Sequence, residues 1–318
     1  MPRSTFRRTG SPLGSDRVFL TGATGFVGSH VLRELRSAGN AVRALVRSPI
    51  GPRDGVEFVV GDLRRTGEFA RHLDGCRYLI HCAALYSFAP RAGTSLHAVN
   101  VQGTAGLMLA AHLAGVERAV LTSSSATLSH ARSGYHRSKL QQERAAFASR
   151  VPVIALLPTA PVGPGDAKPT PTGKLIVDFM KGRIIAKAPG AGGMNLVAVE
   201  DVARAHVAAL TRGSIGRRYV IGAENLSMDA IWQMLAEITG RPMPPWRTPY
   251  ALALGAAYAD ELRARLTGAM PNIPVEGVKL SRERMYADSS PAQRDLGYNA
   301  SSVRAALERA VEWYRHSR

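Results

Sequence analysis

The run Thr21-Gly-Ala-Thr-Gly-Phe-Val-Gly28 stands between a short apolar stretch, Arg17–Thr21, and an amphipathic one that continues to about Ser37. A strand that feeds a glycine loop opening a helix leaves few folds available. Gly22 permits the tight turn, Gly25 lets the backbone come close to a ligand, and Gly28 lets the helix pack against the strand. The first N–H groups of the helix and its dipole then face an anion such as a diphosphate. Gly39 and Asn40 close that helix as a C-cap. Strands are expected at Ala41–Val46, Val56–Val60, Tyr78–Cys82, Ala119–Thr122 and Val153–Leu157. They alternate with helices, one over Ser95–Ala114 and one starting near Tyr135. This alternation predicts an α/β fold with a doubly wound parallel sheet of the Rossmann type.

The pattern changes after Pro158. Residues 158–171 hold five prolines and two glycines, which reads as an irregular crossover. Beyond it a helix is expected from Leu175, a strand at Asn195–Val199, a helix at Val202–Leu210 and a strand at Arg218–Ile221. Helices follow at Met228–Thr239, Tyr250–Leu266 and Ser302–Tyr314. The expected organisation is a disordered basic tail over 1–16, a dinucleotide-binding domain over 17–158, and a smaller mixed α/β substrate lobe over 159–318. Elements near 195–221 are expected to return to the first domain.

Bulk composition excludes several classes. The chain has 318 residues, 45% hydrophobic and 20% charged, as an ordinary soluble globular protein has. No run approaches the roughly 18 apolar residues of a membrane span, and Met1–Asp16 carries arginines without the apolar core of a secretory signal. The net charge of +17 invites a nucleic-acid reading. The 41 basic residues are spread along the chain without a nucleic-acid-binding motif, so anionic small molecules are the better partners. Cys76 and Cys82 build neither a disulfide framework nor a metal site, and the histidines form no ligand pair. No metal and a cytoplasmic location are expected.

Dinucleotides with and without a 2′-phosphate are distinguished at the end of the second strand. NAD sites place a carboxylate there to bind the ribose hydroxyls. Between Glu34 and Asp54 this chain has none; it has Arg43, Arg47 and Ser48. A guanidinium pairs bidentately with a 2′-phosphate, so NADP(H) is expected over NAD(H). Further cofactor contacts are expected from Thr24, Phe26 and Val27 in the glycine loop, and from Asp62 and Leu63 after the third strand. After the fourth strand the small Ala83 and Ala84 let the backbone approach. His81 and Cys82 read as buried sheet residues. Tyr86 and Phe88, just beyond, are candidates to line a pocket.

Tyr135-His-Arg-Ser-Lys139 opens a helix, which puts Tyr135 and Lys139 on one face. An ammonium there would stabilise the phenolate and lower a pKa that starts near ~10, making Tyr135 a general acid/base. The preceding strand ends in Thr122-Ser-Ser-Ser125, whose hydroxyls could hydrogen-bond a reacting oxygen.

Together the glycine loop, Asn100-Val-Gln-Gly-Thr104, the serine cluster and Y-x-x-x-K resemble the extended short-chain dehydrogenases/reductases. Within them the Val42–Arg47 strand is similar to the dihydroflavonol-reductase-like branch. Lys168–Gly173, Ile176–Phe179, Ile215–Asn225 and Asp295–Tyr298 resemble the hopanoid-associated sugar epimerase group. The resemblance implies Ser124 as the catalytic serine, with Ser125 as the alternative. It implies Tyr135 as acid/base, and Lys139 as its partner and ribose ligand. Asn100 would hold the active-site helix or a relay water, and Pro158 and Val162 would lie along the nicotinamide. It also implies a homodimer through the helices at 95–114 and 135. The ten residues between Ser124 and Tyr135 are fewer than this family usually carries, which puts a family-typical substrate in doubt.

Three functions follow. The first is hydride transfer between NADP(H) and a ketone or secondary alcohol. The second is a nucleotide-sugar epimerase or dehydratase that retains its cofactor. The third is a non-catalytic NADP sensor, against which the intact Ser/Tyr/Lys set argues.

Overall fold

A computed structural model describes residues 16–317 except 54, 87–92, 129–133, 185, 188, 191, 270 and 274. The tail expected over 1–16 therefore lies, apart from Asp16, outside the described residues, as does Phe88. The chain begins with β1 (Arg17–Thr21) and, past the glycine loop, α1 (Phe26–Ser37). β2 (Ala41–Val46) and β3 (Val56–Val60) follow, then two 3-10 turns and β4 (Tyr78–His81). α2 (Gly93–Leu96) widens into a π-helical turn, His97–Gln102, and continues as α3 (Gly103–Leu113). β5 (Arg118–Thr122), a 3-10 turn at Ser125–Leu128, α4 (Gly134–Phe147) and β6 (Val153–Pro158) complete the first half.

The second half carries β7 (Ala160–Val162), α5 (Pro171–Met180), β8 (Gly193–Ala198), α6 (Val199–Arg212), β9 (Arg218–Ile221) and β10 (Glu224–Ser227). It ends with α7 (Met228–Thr239), α8 (Tyr250–Thr267), α9 (Val275–Leu280), β11 (Arg284–Met285), α10 (Ser290–Leu296) and α11 (Val303–His316).

The main sheet is parallel throughout, in the order β3-β2-β1-β4-β5-β6-β9. Its strands read as continuous apolar runs because both faces are covered. Alternation sorts the side chains. Val18, Leu20, Ile80, Val120 and Ile154 pack with α1 and α6 residues such as Leu35 and Leu210. Phe19, Leu79 and Leu121 pack with Leu107 and Met108 of α3 on the other face. Each such side chain contributes about 1.5–3 kcal/mol by leaving water.

One expectation needs correction. The strand near 195–199 does not return to the main sheet. β8 is the middle of a second sheet, flanked by antiparallel β10, parallel β11 and parallel β7. β7 begins only two residues after β6 ends, and its pairing of Ala160–Val162 with Leu196–Ala198 draws β8 out of the main sheet. The elements that do return are α6, against α1, and β9, beside β6.

Three hydroxyl groups tie β9 and the turn after it to α10 and its flanks. Tyr219 Oη donates to Asp295 Oδ2 at 2.9 Å and accepts from Ser214 N at 3.2 Å. Tyr298 Oη donates to the Gly222 carbonyl at 3.0 Å, and Ser289 Oγ accepts from Gly222 N at 2.9 Å. Tyr219 is wholly buried. Tyr219→Phe is expected to lower stability by about 1–3 kcal/mol, because it strips the half-buried Asp295 carboxylate of a donor and Ser214 N of its acceptor. A urea midpoint indistinguishable from wild type would contradict this role.

Candidate active site

The glycine loop lies where the chain order of the main sheet reverses, between β1 and β4, at the carboxyl ends of the strands. Ligands of open α/β sheets bind at that place. Gly22 has φ +77°, and a Cβ on it would come 2.7 Å from Ala83 N. A Cβ on Gly28 would strike the Gly22 carbonyl oxygen, so both positions exclude a side chain. Gly25 caps α1 without a side-chain bond, and the first turn of α1 holds no acidic residue. Thr24 and Gly25 are exposed, with Phe26 and Val27 half-buried beside them. This cradle of backbone and free helix N–H groups fits a dinucleotide diphosphate.

The two arginines of the second strand part company. Arg47 and Ser48 stand exposed just past the carboxyl end of β2. Arg43 does not reach that edge, which corrects its expected role. It sits directly opposite Glu57 in the β2–β3 register and pairs with it at 2.8 Å. It also donates to the carbonyls of His72 at 2.6 Å and Asp74 at 3.1 Å. Asp62 is likewise engaged: its carboxylate caps the following turn and pairs with Arg64, which lowers its pKa to about 2. Leu63 is buried, against the closely approaching Gly103. Ala83 is half-buried and Ala84 exposed after β4.

Lys139 is the centre of the second group of residues. It is fully buried, and its Nζ donates to the Thr122 carbonyl at 2.7 Å and to Gln142 Oε1 at 2.5 Å. Gln142 Nε2 donates to Thr104 Oγ1 at 3.0 Å, which lies 2.8 Å from His81 Nε2. His81 Nδ1 is 2.6 Å from Thr21 Oγ1, and that oxygen accepts from Ala83 N at 3.2 Å. Thr21, His81, Thr104 and Gln142 are all wholly buried. Burial, with the charge of Lys139, drives the His81 pKa down to about 3, so the ring is neutral. Burial also pushes the Lys139 ammonium down to about 8.

Tyr135 begins α4 and meets the edge of Tyr86 with ring centroids 4.5 Å apart. Its phenol is not lowered as expected. Burial raises it above its usual range, while the Lys139 ammonium is directed to Thr122 and Gln142. Ser124 is half-buried, and its Oγ accepts from Ala126 N at 3.2 Å; Ser125 starts the next turn. The middle of the Ser124–Tyr135 link, 129–133, lies outside the described residues. Asn100 occupies the π-helical turn, a distortion that recurs at functional sites. It accepts from Leu85 N at 2.7 Å, and donates to Leu85 O at 3.0 Å and Ser138 Oγ at 3.1 Å. It therefore ties the loop after β4 to α4. Pro158 ends β6 at the same edge. Val162 does not share that edge: its side chain lies in the core of the smaller lobe with Ile176, Phe179 and Trp232.

Sequence reasoning missed Glu143, one turn beyond Lys139. It is buried, pairs with Arg218 at 2.9 Å and accepts from Thr127 Oγ1 at 2.8 Å and from Ser123. It clamps α4 to the ends of β5 and β9, and its i+4 spacing from Lys139 was the available signal. Among the described residues no cluster of three or more His, Cys, Asp or Glu could hold a metal, and no helix is long and apolar enough to cross a membrane.

Residues 18–222 match the model of the NAD dependent epimerase/dehydratase family, and the chain belongs to that family. It is 36% identical to a putative dihydroflavonol 4-reductase of Synechocystis, over 95% of each chain. It is 35% identical to sterol demethylase protein B of Methylococcus capsulatus, over 93% of this chain and 97% of the relative. Among solved structures it superposes on MoeE5 in complex with UDP-glucuronic acid and NAD. That match has a TM-score of 0.75 at 27% identity and covers 95% and 100% of the two chains. The extended short-chain dehydrogenase/reductase fold expected from the motifs is thus the one observed, and the relatives include reductases.

The displaced pKa of Lys139 has a consequence for stability. Its folded value lies below the unfolded one, 10.5, so the folded chain binds fewer protons between the two and stability rises with pH from about 8. Lys139→Met is expected to remove a gain of about 3 kcal/mol. Denaturant midpoints of both proteins at pH 7.5 and pH 10 check this; parallel shifts in the two would contradict it.

Proposed function

We propose that the chain is an NADP(H)-dependent oxidoreductase that moves hydride between the nicotinamide and a ketone or secondary alcohol. The observation that carries this reading is the buried Lys139 beside Tyr135 at the edge of the sheet that also holds the glycine cradle. Arg47 and Ser48, exposed where an NAD site would place a carboxylate, support the 2′-phosphate. The dinucleotide, when bound, supplies or takes the hydride. Lys139 orders the ribose, Ser124 holds the substrate oxygen, with Ser125 as its alternative, and Asn100 keeps the loop and α4 in register. Pro158 borders the ring. Tyr135 gives the proton to the nascent alkoxide oxygen. A phenol raised by burial stays protonated at neutral pH, which suits the reducing direction.

Relatives named for a dihydroflavonol and a sterol support an apolar carbonyl or alcohol as substrate. A second reading, epimerisation of a nucleotide sugar with retained cofactor, is favoured by the likeness to MoeE5 with its UDP-glucuronic acid and NAD. A homodimer belongs to the same proposal, supported by Leu109 and Leu113, which stand exposed on α3. So does a cytoplasmic location, supported by two free cysteines.

Fluorescence titration with NADPH and NADH separates the readings. Selective, exchangeable NADPH binding is expected, and Arg47→Ala should weaken it roughly ten- to hundred-fold without affecting NADH. NAD that stays bound through purification would move the assignment to the epimerase. Tyr135→Phe should lower kcat by ~10²–10⁴ while dinucleotide affinity holds. Full turnover in that variant would remove Tyr135 from the chemistry.

A further inference from the structure

α8 is built inside out. A surface helix normally hides its leucines and shows its polar groups. Here the packed side consists of Ala257, wholly buried, with Ala253 and Leu254 partly so, against Val275 and Val278 of α9, and of the wholly buried Ala264 two turns on. The leucines point the other way. Leu252, Leu262 and Leu266 are 66%, 59% and 79% exposed. With the exposed Gly255 and Ala259 they recur at three- and four-residue steps, forming one stripe about 21 Å long.

Charge sorts itself around this stripe. Arg263 and Arg265, both exposed, fall on its opposite flanks by helical spacing. Their acidic partners turn inward: Asp260, 2.8 Å from Arg263, accepts from Ile273 N at 2.8 Å, and Glu261 lies 3.8 Å from Arg265. Lys279 stands 5.9 Å above the ring of Tyr258, a half-exposed aromatic at the arginine-265 edge. An apolar stripe between cations with an aromatic at its margin is the pattern of a helix lying in a lipid interface. A second copy docked on this face would set arginine flanks against arginine flanks; an anionic surface complements them.

We propose that α8 is a docking helix for an anionic bilayer, with Leu252, Leu262 and Leu266 entering the headgroup–acyl boundary and Arg263 and Arg265 reaching the lipid phosphates. This goes beyond the hydride-transfer reading and does not depend on it. The test is co-sedimentation of the full chain with vesicles of phosphatidylglycerol and phosphatidylcholine, or of phosphatidylcholine alone. The wild type is expected to pellet with the anionic vesicles in 0.1 M salt and to be released by 0.5 M salt, where the screening length falls from ~10 Å to ~4 Å.

Leu252→Gln/Leu262→Gln/Leu266→Gln should lower the bound fraction at least tenfold, with circular dichroism and unfolding midpoint unchanged. Arg263→Gln/Arg265→Gln should weaken binding and flatten its salt dependence. Leu109→Gln/Leu113→Gln on α3 should leave it intact. Wild type remaining in the supernatant overturns the proposal, and so does a triple-leucine variant that pellets as before. Equal loss in the α3 variant overturns it as non-specific adhesion. A triple-leucine variant that changes oligomeric state by ultracentrifugation while keeping its vesicle binding overturns it in favour of a contact between copies.

Discussion

The Lys139 ammonium is a full charge taken out of water, and the surrounding residues are arranged to tolerate it. Such burial costs several kcal/mol unless strong acceptors meet the charge. The acceptors here are neutral, the Thr122 carbonyl and the Gln142 amide oxygen. Glu143 moderates the cost from one turn away, but its carboxylate is held by Arg218, Ser123 and Thr127. The lysine therefore remains a cation whose proton is weakly held and whose position is closely defined.

The position of that charge is linked to the glycine cradle through Thr21. Its hydroxyl oxygen accepts the Ala83 N–H, and Ala83 is the residue that leaves Gly22 no room for a side chain. The same hydroxyl faces His81, which reaches Thr104, Gln142 and then Lys139. Neutral imidazole is required in this chain, since a charged ring so near the ammonium would repel it, and burial enforces neutrality. On the other side of β5, His206 is likewise held neutral by burial, its pKa down to about 4, and bonds the Thr122 hydroxyl at 2.7 Å. Both neighbours of the Thr122 strand end are thus fixed by uncharged polar contacts.

What the sequence reveals and what it withholds follow from the range of the interactions. The strands of the main sheet were legible because each is a continuous apolar run between turn residues, and burial on both faces demands that. The glycine cradle and the Tyr135–Lys139 spacing were legible because they are local. Arg43 and Arg47 look equivalent in sequence; only the β2–β3 register, which sets Arg43 beside Glu57, separates them. Val162 was misplaced for a similar reason, since its burial depends on β7 pairing with a strand more than thirty residues on. Thr21, Thr104 and Gln142 are ordinary residues until three elements converge on them. β10 and β11 are too short for any period to show.

The stretches that resemble the hopanoid-associated epimerase group make packing and capping contacts. In Lys168–Gly173, Thr170 caps α5 by accepting from Gly173 N at 3.2 Å, and Asp166 accepts from Thr170 N at 2.9 Å. In Ile215–Asn225, Tyr219 meets Asp295, and Asn225 accepts from Asn195 Nδ2 at 2.7 Å. In Asp295–Tyr298, Tyr298 bonds the Gly222 carbonyl. These contacts hold α5 within the smaller lobe, β10 against β8 and α10 against the main sheet, so their presence predicts the shape of the molecule more firmly than its substrate. A fold whose recognisable residues fix its packing can exchange one substrate for another without losing its family signature.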